Sequence, residues 1–158
     1  MHIHLFCMKD SGLEIPSLPC LCANSRRAAR ALTQFYDEAL RPLGLRVTQF
    51  TILQVLDRTG EVSQGRLGQI LAMDSTTLTR TLGIMSREGW IAERSGRDRR
   101  ERLLQMSEVG RDRYKRAQPA WETAQTQLQR QLGKTRWHDL MKLTSEVTVL
   151  IAKQGGLS

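Results

Sequence analysis

No apolar run in this chain approaches the roughly 20 residues that a membrane-crossing helix needs, so a transmembrane protein is excluded and no membrane partner is expected. Cysteine is scarce: Cys7, Cys20 and Cys22 are the three in 158 residues, an odd number. That excludes a disulfide scaffold and points to a reducing, cytoplasmic compartment. Histidine is equally scarce. His2, His4 and His138 lack zinc-motif spacing, and neither a glycine-rich phosphate loop nor a Gly-x-Ser-x-Gly elbow occurs. No enzyme, no cofactor and no resident metal are therefore expected. The stretch Met1–Asp10 has no basic region, and its short apolar run is broken by His and Lys, so no secretory signal is expected.

What is present is a globular balance, 40% hydrophobic and 25% charged, which excludes disorder as the main state. The length suits one domain of ordinary size. The net charge is +8, and 19 of the 24 basic residues are Arg. Such a balance favours a polyanionic partner, nucleic acid or an anionic surface, and Arg forks onto phosphates and guanine edges where Lys acts as a point charge.

Residues 1–17 have no clear period and contain Gly12, Pro16 and Ser17; they read as a tail. Pro19 opens a first long helix whose apolar stripe is Leu21, Ala28, Leu32, Phe35 and Ala39; Pro42 and Gly44 end it. Thr48 is the expected N-cap of a second helix that buries Phe50, Leu53 and Leu56 and stops at Gly60. Ser63 caps a short third helix carrying Leu67, Ile70 and Leu71. Asp74 caps a fourth, running to about Glu88, with Gly89 just past its end. Residues 90–94 and 102–106 are short and partly alternating, and they flank a polar loop, which predicts a β-hairpin. Ser107 caps a long helix to about Leu132 that Pro119 should kink. A last helix from about Thr135 carries Trp137, Leu140, Met141, Thr144, Val147 and Ile151 on one face. Trp90 and Trp121 also sit on apolar stripes and read as core, and Asp37-Glu38 reads as an acidic pair on a solvated face.

The fold expected is mainly α with a small β-wing: a winged helix-turn-helix flanked by N- and C-terminal dimerisation helices. The organisation is a tail at 1–17, a dimerisation helix at 18–45, the winged helix-turn-helix at 46–106, and at 107–158 a long kinked helix followed by a C-terminal dimerisation helix. The outer stripes are too long for a small winged-helix core to cover. A second copy of the chain would cover them through Leu21, Ala28, Leu32, Trp137, Leu140, Val147 and Ile151, so a homodimer is expected.

On the fourth helix, at about 100° per residue, Leu78, Leu82 and Met85 share the inward face. Thr76, Arg80, Gly83 and Arg87 face outward and Thr79 lies on the flank. No acid occurs between Ser75 and Arg87. Short hydroxyls and guanidinium groups are what a major groove can use, which makes Ser75, Thr76, Thr77, Thr79, Arg80 and Arg87 candidate contacts to double-stranded DNA. The wing reinforces this. Residues 94–102 hold five Arg against Asp98 and Glu101, and Arg97, Arg99 and Arg100 can reach phosphates or a minor groove. An acid at Asp98 does not help phosphate affinity; it suits a group that orients a neighbouring guanidinium.

These segments resemble the multiple-antibiotic-resistance regulator (MarR) family of winged-helix transcription factors. The resemblance runs from about Cys22 to Ile151. It is carried by Arg46–Leu53, Asp74–Arg80, Glu88–Ile91, Asp98-Arg99-Arg100 and Leu104–Gly110, the wing-tip Asp-Arg-Arg with the following Ser-x-x-Gly being its most specific part. It implies an obligate homodimer, a pseudo-palindromic operator, and repression relieved by a ligand or an oxidant. It also implies that Asp98 buttresses the wing while Arg100 enters the minor groove. The leader and the Pro-Cys-Leu-Cys start to helix one are not general features of that family.

Cys20 and Cys22 lie at the start of the first helix, where the positive end of the helix dipole favours an anion, and Arg26 follows four residues after Cys22. They are candidate thiol sensors, for an oxidant or for a soft metal. Residues i and i+2 of an intact helix point apart, so a chelate would need an unwound turn, Cys7, or cysteines across a dimer; the other reading is small apolar packing. The function expected is a homodimeric DNA-binding regulator, a repressor released by a small-molecule effector or by thiol modification. The rival is a winged-helix protein–protein interaction module without sequence-specific DNA binding.

Overall fold

A computed structural model of the chain describes residues 15–16, 18–96 and 101–153. In chain order the elements are α1 (Leu21–Leu40), a 3-10 turn (Arg41–Leu43), α2 (Val47–Thr59), β1 (Glu61–Ser63), α3 (Gln64–Leu71), α4 (Ser75–Arg87), β2 (Ile91–Ser95), β3 (Arg102–Met106), α5 (Glu108–Leu132) and α6 (Lys134–Lys153). The chain divides inside α1 into two compact units, residues 1–35 and 36–158.

In the first unit α1 starts at Leu21, two residues after Pro19, which stands outside the helix. The lead-in is tied to the helix by its own side chains. The Asn24 amide donates to the carbonyls of Leu18 (2.5 Å) and Cys20 (3.1 Å), and Arg27 donates to the Pro16 carbonyl (3.0 Å).

The second unit holds one core. Phe50, Leu53, Leu56, Leu67, Leu78, Leu82, Met85, Trp90, Ile91, Leu104, Met106 and Tyr114 are buried together, with Leu40, Leu45 and Ile52. Phe50 is its hub, with ring centroids 5.2 Å from Tyr114 and 5.5 Å from Trp121, so α2 and α5 are joined through aromatic faces. Of the apolar residues on α3, Leu67 is buried and Ile70 is 42% exposed, because the eight-residue helix turns only Leu67 fully inward.

Three caps stand where the sequence places them. Ser63 Oγ accepts from the Arg66 N–H (3.2 Å), Asp74 Oδ1 from the Thr77 N–H (2.8 Å), and Ser107 Oγ from the Gly110 N–H (3.0 Å). The cap expected at Thr48 is not there: α2 begins at Val47, with Arg46 in the cap position. Its first N–H groups are met by side chains on either side of that start. Asp37 Oδ1, ten residues back, accepts from the Val47 N–H (2.7 Å), and Gln49 accepts from the Arg46 N–H (2.9 Å). Asp37 is thus a half-buried structural acid, not a solvated one, and it also pairs with Arg46 at 3.3 Å.

The wing is part of a three-stranded antiparallel sheet in the order β1-β3-β2. The hairpin strands were expected; β1 was not. It pairs Val62 with Leu104, while β2 pairs Ile91 with Met106 and Ser95 with Arg102. Helix α5 runs unbroken across Pro119, and α6 buries none of its residues.

Candidate nucleic-acid interface

Helix α4 separates two chemistries cleanly. Leu78, Leu82 and Met85 are buried, whereas Ser75, Thr76, Thr77, Thr79, Arg80 and Arg87 are all exposed. Ser75, Thr76, Thr79 and Arg80 line one open hollow of about 410 Å3 at the start of the helix. Arg80 makes no ion pair among the described residues, so its guanidinium is available to an outside anion. Two of the other candidates are already engaged within the helix. Hydrogen bonding from Thr77, whose N–H donates to Asp74 Oδ1 at 2.8 Å, holds the Asp74 carboxyl below the usual carboxylate value. Arg87 donates through Nε to the Gly83 carbonyl at 3.2 Å, at the negative end of the helix dipole.

The turn before α4 is compact. Ala72 adopts a left-handed conformation (φ 49°), and the Met73 N–H returns to the Gly68 carbonyl at 3.0 Å. Helix α3 then braces α4 directly: the Gln64 amide Nε2 donates to Thr79 Oγ1 at 2.9 Å.

At the wing, the basic count read from the sequence divides into two parts. Arg94 forms a two-pronged pair with Glu61 of β1 (Nε 2.7 Å, Nη2 2.6 Å), and Arg102 pairs with Glu93 across the hairpin at 3.7 Å. These two arginines are spent on the base of the wing. Arg97, Asp98, Arg99 and Arg100 lie outside the described residues. The root of the wing is fixed to α5. Ser107 donates its N–H to the Trp90 carbonyl (3.0 Å) and its hydroxyl to the Gly89 carbonyl (2.5 Å). A Cβ at Gly110 would stand 2.0 Å from the Trp90 carbonyl oxygen, so only glycine fits that contact. From the other side Arg113 lies 5.1 Å from the Trp90 ring centroid and donates to the Leu43 carbonyl at 2.7 Å.

The sequence profile of the MarR family matches residues 43–101, the stretch from just before α2 to just before β3. The HTH-type transcriptional regulator YwoH of Bacillus subtilis is 30% identical over 88 residues, which are 56% of this chain and 64% of that one. The transcriptional regulator MosR of M. tuberculosis, solved in complex with DNA, is 33% identical. That match covers 83% of this chain and 98% of MosR, with a TM-score of 0.72. The chain belongs to the MarR family. A mutant of the MarR protein of E. coli, solved with operator DNA, shares the fold at 21% identity and a TM-score of 0.72; 80% of this chain and 92% of that one are covered.

This MarR-family chain is thus a winged-helix transcriptional regulator, and the remaining expected residues can be placed on it. On α6, Leu140, Val147 and Ile151 are 41%, 44% and 42% exposed, and Trp137 is half-buried. On α1, Leu21 and Ala28 are exposed and Leu32 is half-buried. Cys20 and Cys22 are free thiols on the exposed start of α1; Cys7 lies outside the described residues. Among the described residues no cluster of His, Cys, Asp or Glu could hold a metal, and no helix is long and apolar enough to cross a membrane. Three site residues escaped the sequence reading: Glu61, Gln64 and Arg113. Each acts on a residue distant along the chain, and only Glu61 left a trace, as an acid opposite a basic hairpin.

Proposed function

We propose that the protein binds double-stranded DNA as a cytoplasmic homodimer, reads a pseudo-palindromic operator with α4 of each copy, and represses transcription there. The observation that carries this reading is the exposed, acid-free face of α4, with hydroxyls and an Arg80 that makes no ion pair among the described residues, over a buried apolar stripe. Two such helices related by a two-fold axis would enter successive major grooves about one helical turn, ~34 Å, apart. The wing would add phosphate or minor-groove contacts through Arg97, Arg99 and Arg100, with Asp98 orienting them. MosR, related over nearly its whole length and solved on DNA, supports the assignment. A gel shift with genomic fragments across a salt series tests it. The expected result is one retained fragment carrying an inverted repeat, with log affinity falling linearly in log salt. Retention of no duplex at any salt would favour a protein partner for this face.

The second copy is the partner proposed for the α1 and α6 stripes. Removal of residues 135–158 should give monomers or aggregates with weak DNA binding; a truncated chain that stays a tight dimer in light scattering defeats this part.

Release from DNA is proposed to follow either a small-molecule effector or a change at Cys20 and Cys22. In the thiol route Cys22 is the more reactive of the pair. Its thiolate attacks a peroxide oxygen, becomes a sulfenic acid and expels hydroxide, or it binds a soft metal ion; either event shifts α1 and weakens operator binding. The Cys20→Ser, Cys22→Ser double variant should then hold DNA in peroxide or thiophilic metal where the wild type lets go. Equal release by both assigns control to the small molecule.

A further inference from the structure

We propose that Gln64 is a positioning residue for DNA reading: it turns the Thr79 hydroxyl into a dedicated hydrogen-bond donor aimed at an acceptor on the duplex. The inference rests on the DNA-binding reading of α4 and adds to it a residue on a different helix.

Threonines in the helices of this chain mostly spend their hydroxyl proton on their own backbone. Thr33, Thr51, Thr59, Thr81, Thr123, Thr144 and Thr148 each donate to the carbonyl four residues earlier, at 2.8 to 3.0 Å. A hydroxyl committed that way reaches a ligand only as an acceptor. Thr79 departs from the pattern. Its oxygen accepts from Gln64 Nε2 at 2.9 Å, and among the described residues its proton goes to no carbonyl. A hydroxyl carries one proton and two lone pairs. With one lone pair fixed by an incoming N–H, the proton is directed away from Gln64. Thr79 is exposed and lines the same hollow as Ser75, Thr76 and Arg80, so that proton faces the space a duplex would occupy.

Gln64 is well placed to impose this. It is the first residue of α3, directly after the Ser63 cap and the end of β1, so its backbone is held by both a helix start and a sheet. Its side chain is half-buried, which limits the rotamers it can visit. The acceptor on the DNA is a lone-pair atom: a base-edge oxygen or nitrogen in the major groove, or a phosphate oxygen.

The test uses the full chain and a duplex selected from a random pool by the wild-type protein. Gln64→Met keeps the length of the side chain and removes the donor; Thr79→Val keeps the shape and removes the hydroxyl. Each should bind the selected duplex about five- to tenfold more weakly, the loss of one hydrogen bond. The double variant should be no weaker than Thr79→Val alone, because Gln64 acts only through that hydroxyl. Melting midpoints, read alongside, separate this from a folding defect. Repeating the selection with Gln64→Met identifies the acceptor. Relaxed preference at one position of each half-site assigns a base edge, and unchanged preference with uniformly weaker binding assigns a phosphate. Wild-type affinity in Gln64→Met, or losses that add in the double variant, overturns the positioning role while leaving DNA binding intact. A wild-type protein that selects no duplex instead removes the functional reading beneath it.

Discussion

Helices α4 and α6 are both amphipathic, yet they end up in opposite situations. The apolar stripe of α4 is covered by its own chain: Leu78, Leu82 and Met85 are buried, and the polar face is what remains outside. Among the described residues α6 has none buried, and Leu140, Val147 and Ile151 stay exposed. Periodic apolar spacing says that a face is to be buried. Whether the same chain supplies the cover depends on what else the fold brings near, and that is a tertiary property. In α4 it is the polar face that is exposed; in α6 apolar residues are exposed as well.

Substitutions can break this contrast. Phe50→Ala removes the aromatic hub of the core that covers the apolar stripe of α4 and should cost about 3–5 kcal/mol in urea unfolding. Gly110→Ala, which drives a methyl into the Trp90 carbonyl, should cost about 3 kcal/mol by the same measurement. On the other side of the comparison, Val147→Glu with Ile151→Glu should leave the winged-helix core folded. It should weaken self-association about a hundredfold or more, read from the concentration dependence of light scattering. If that pair instead melts the core as Phe50→Ala does, α6 belongs to the core and the contrast fails. Arg80→Ala should leave stability unchanged and cost about 1–3 kcal/mol in binding to a selected duplex if the guanidinium meets a base. The smallest effect has the opposite sign. Ala72→Gly relieves a left-handed alanine in the turn between α3 and α4 and should stabilise by about 1 kcal/mol, seen as a raised melting midpoint. The Asp74 cap adds a pH signature. Its carboxyl is held below the ordinary value, so its contribution is present above the unfolded pKa and fades as pH falls through the lower folded one.

The parts of the fold that were legible beforehand are those governed by short-range rules. Ser63, Asp74 and Ser107 each cap within three residues, and Gly89 (φ 70°) follows the end of α4 as expected. The illegible parts act at a distance. Asp37 reaches ten residues to cap α2, a geometry that local motifs do not encode, so Thr48 looked like the better candidate. Strand β1 is three residues long and exists because Val62 finds Leu104, far along the chain. The wing shows the same limit in its charges. The local count of arginines in 94–102 includes Arg94 and Arg102, yet these two pair with Glu61 and Glu93. The outward residues of α4 were legible because helical phase alone sorts its faces; the brace from Gln64 was not, since it joins two helices.

The root of the wing constrains how proteins built on this plan can vary in length. Ser107 holds the carbonyls of both Gly89 and Trp90, and Gly110 closes against Trp90 with no space for a methyl group. An insertion or deletion between residues 89 and 91, or between 106 and 110, would break that joint whatever residue it brought. Strand pairing runs to Ser95 and Arg102, and the Gly96 N–H still donates to the Glu101 carbonyl (2.8 Å), so a longer or shorter hairpin can be accommodated only beyond Gly96 and Glu101. A change in hairpin length beyond Gly96 and Glu101 would therefore leave the joint between the wing and α5 intact.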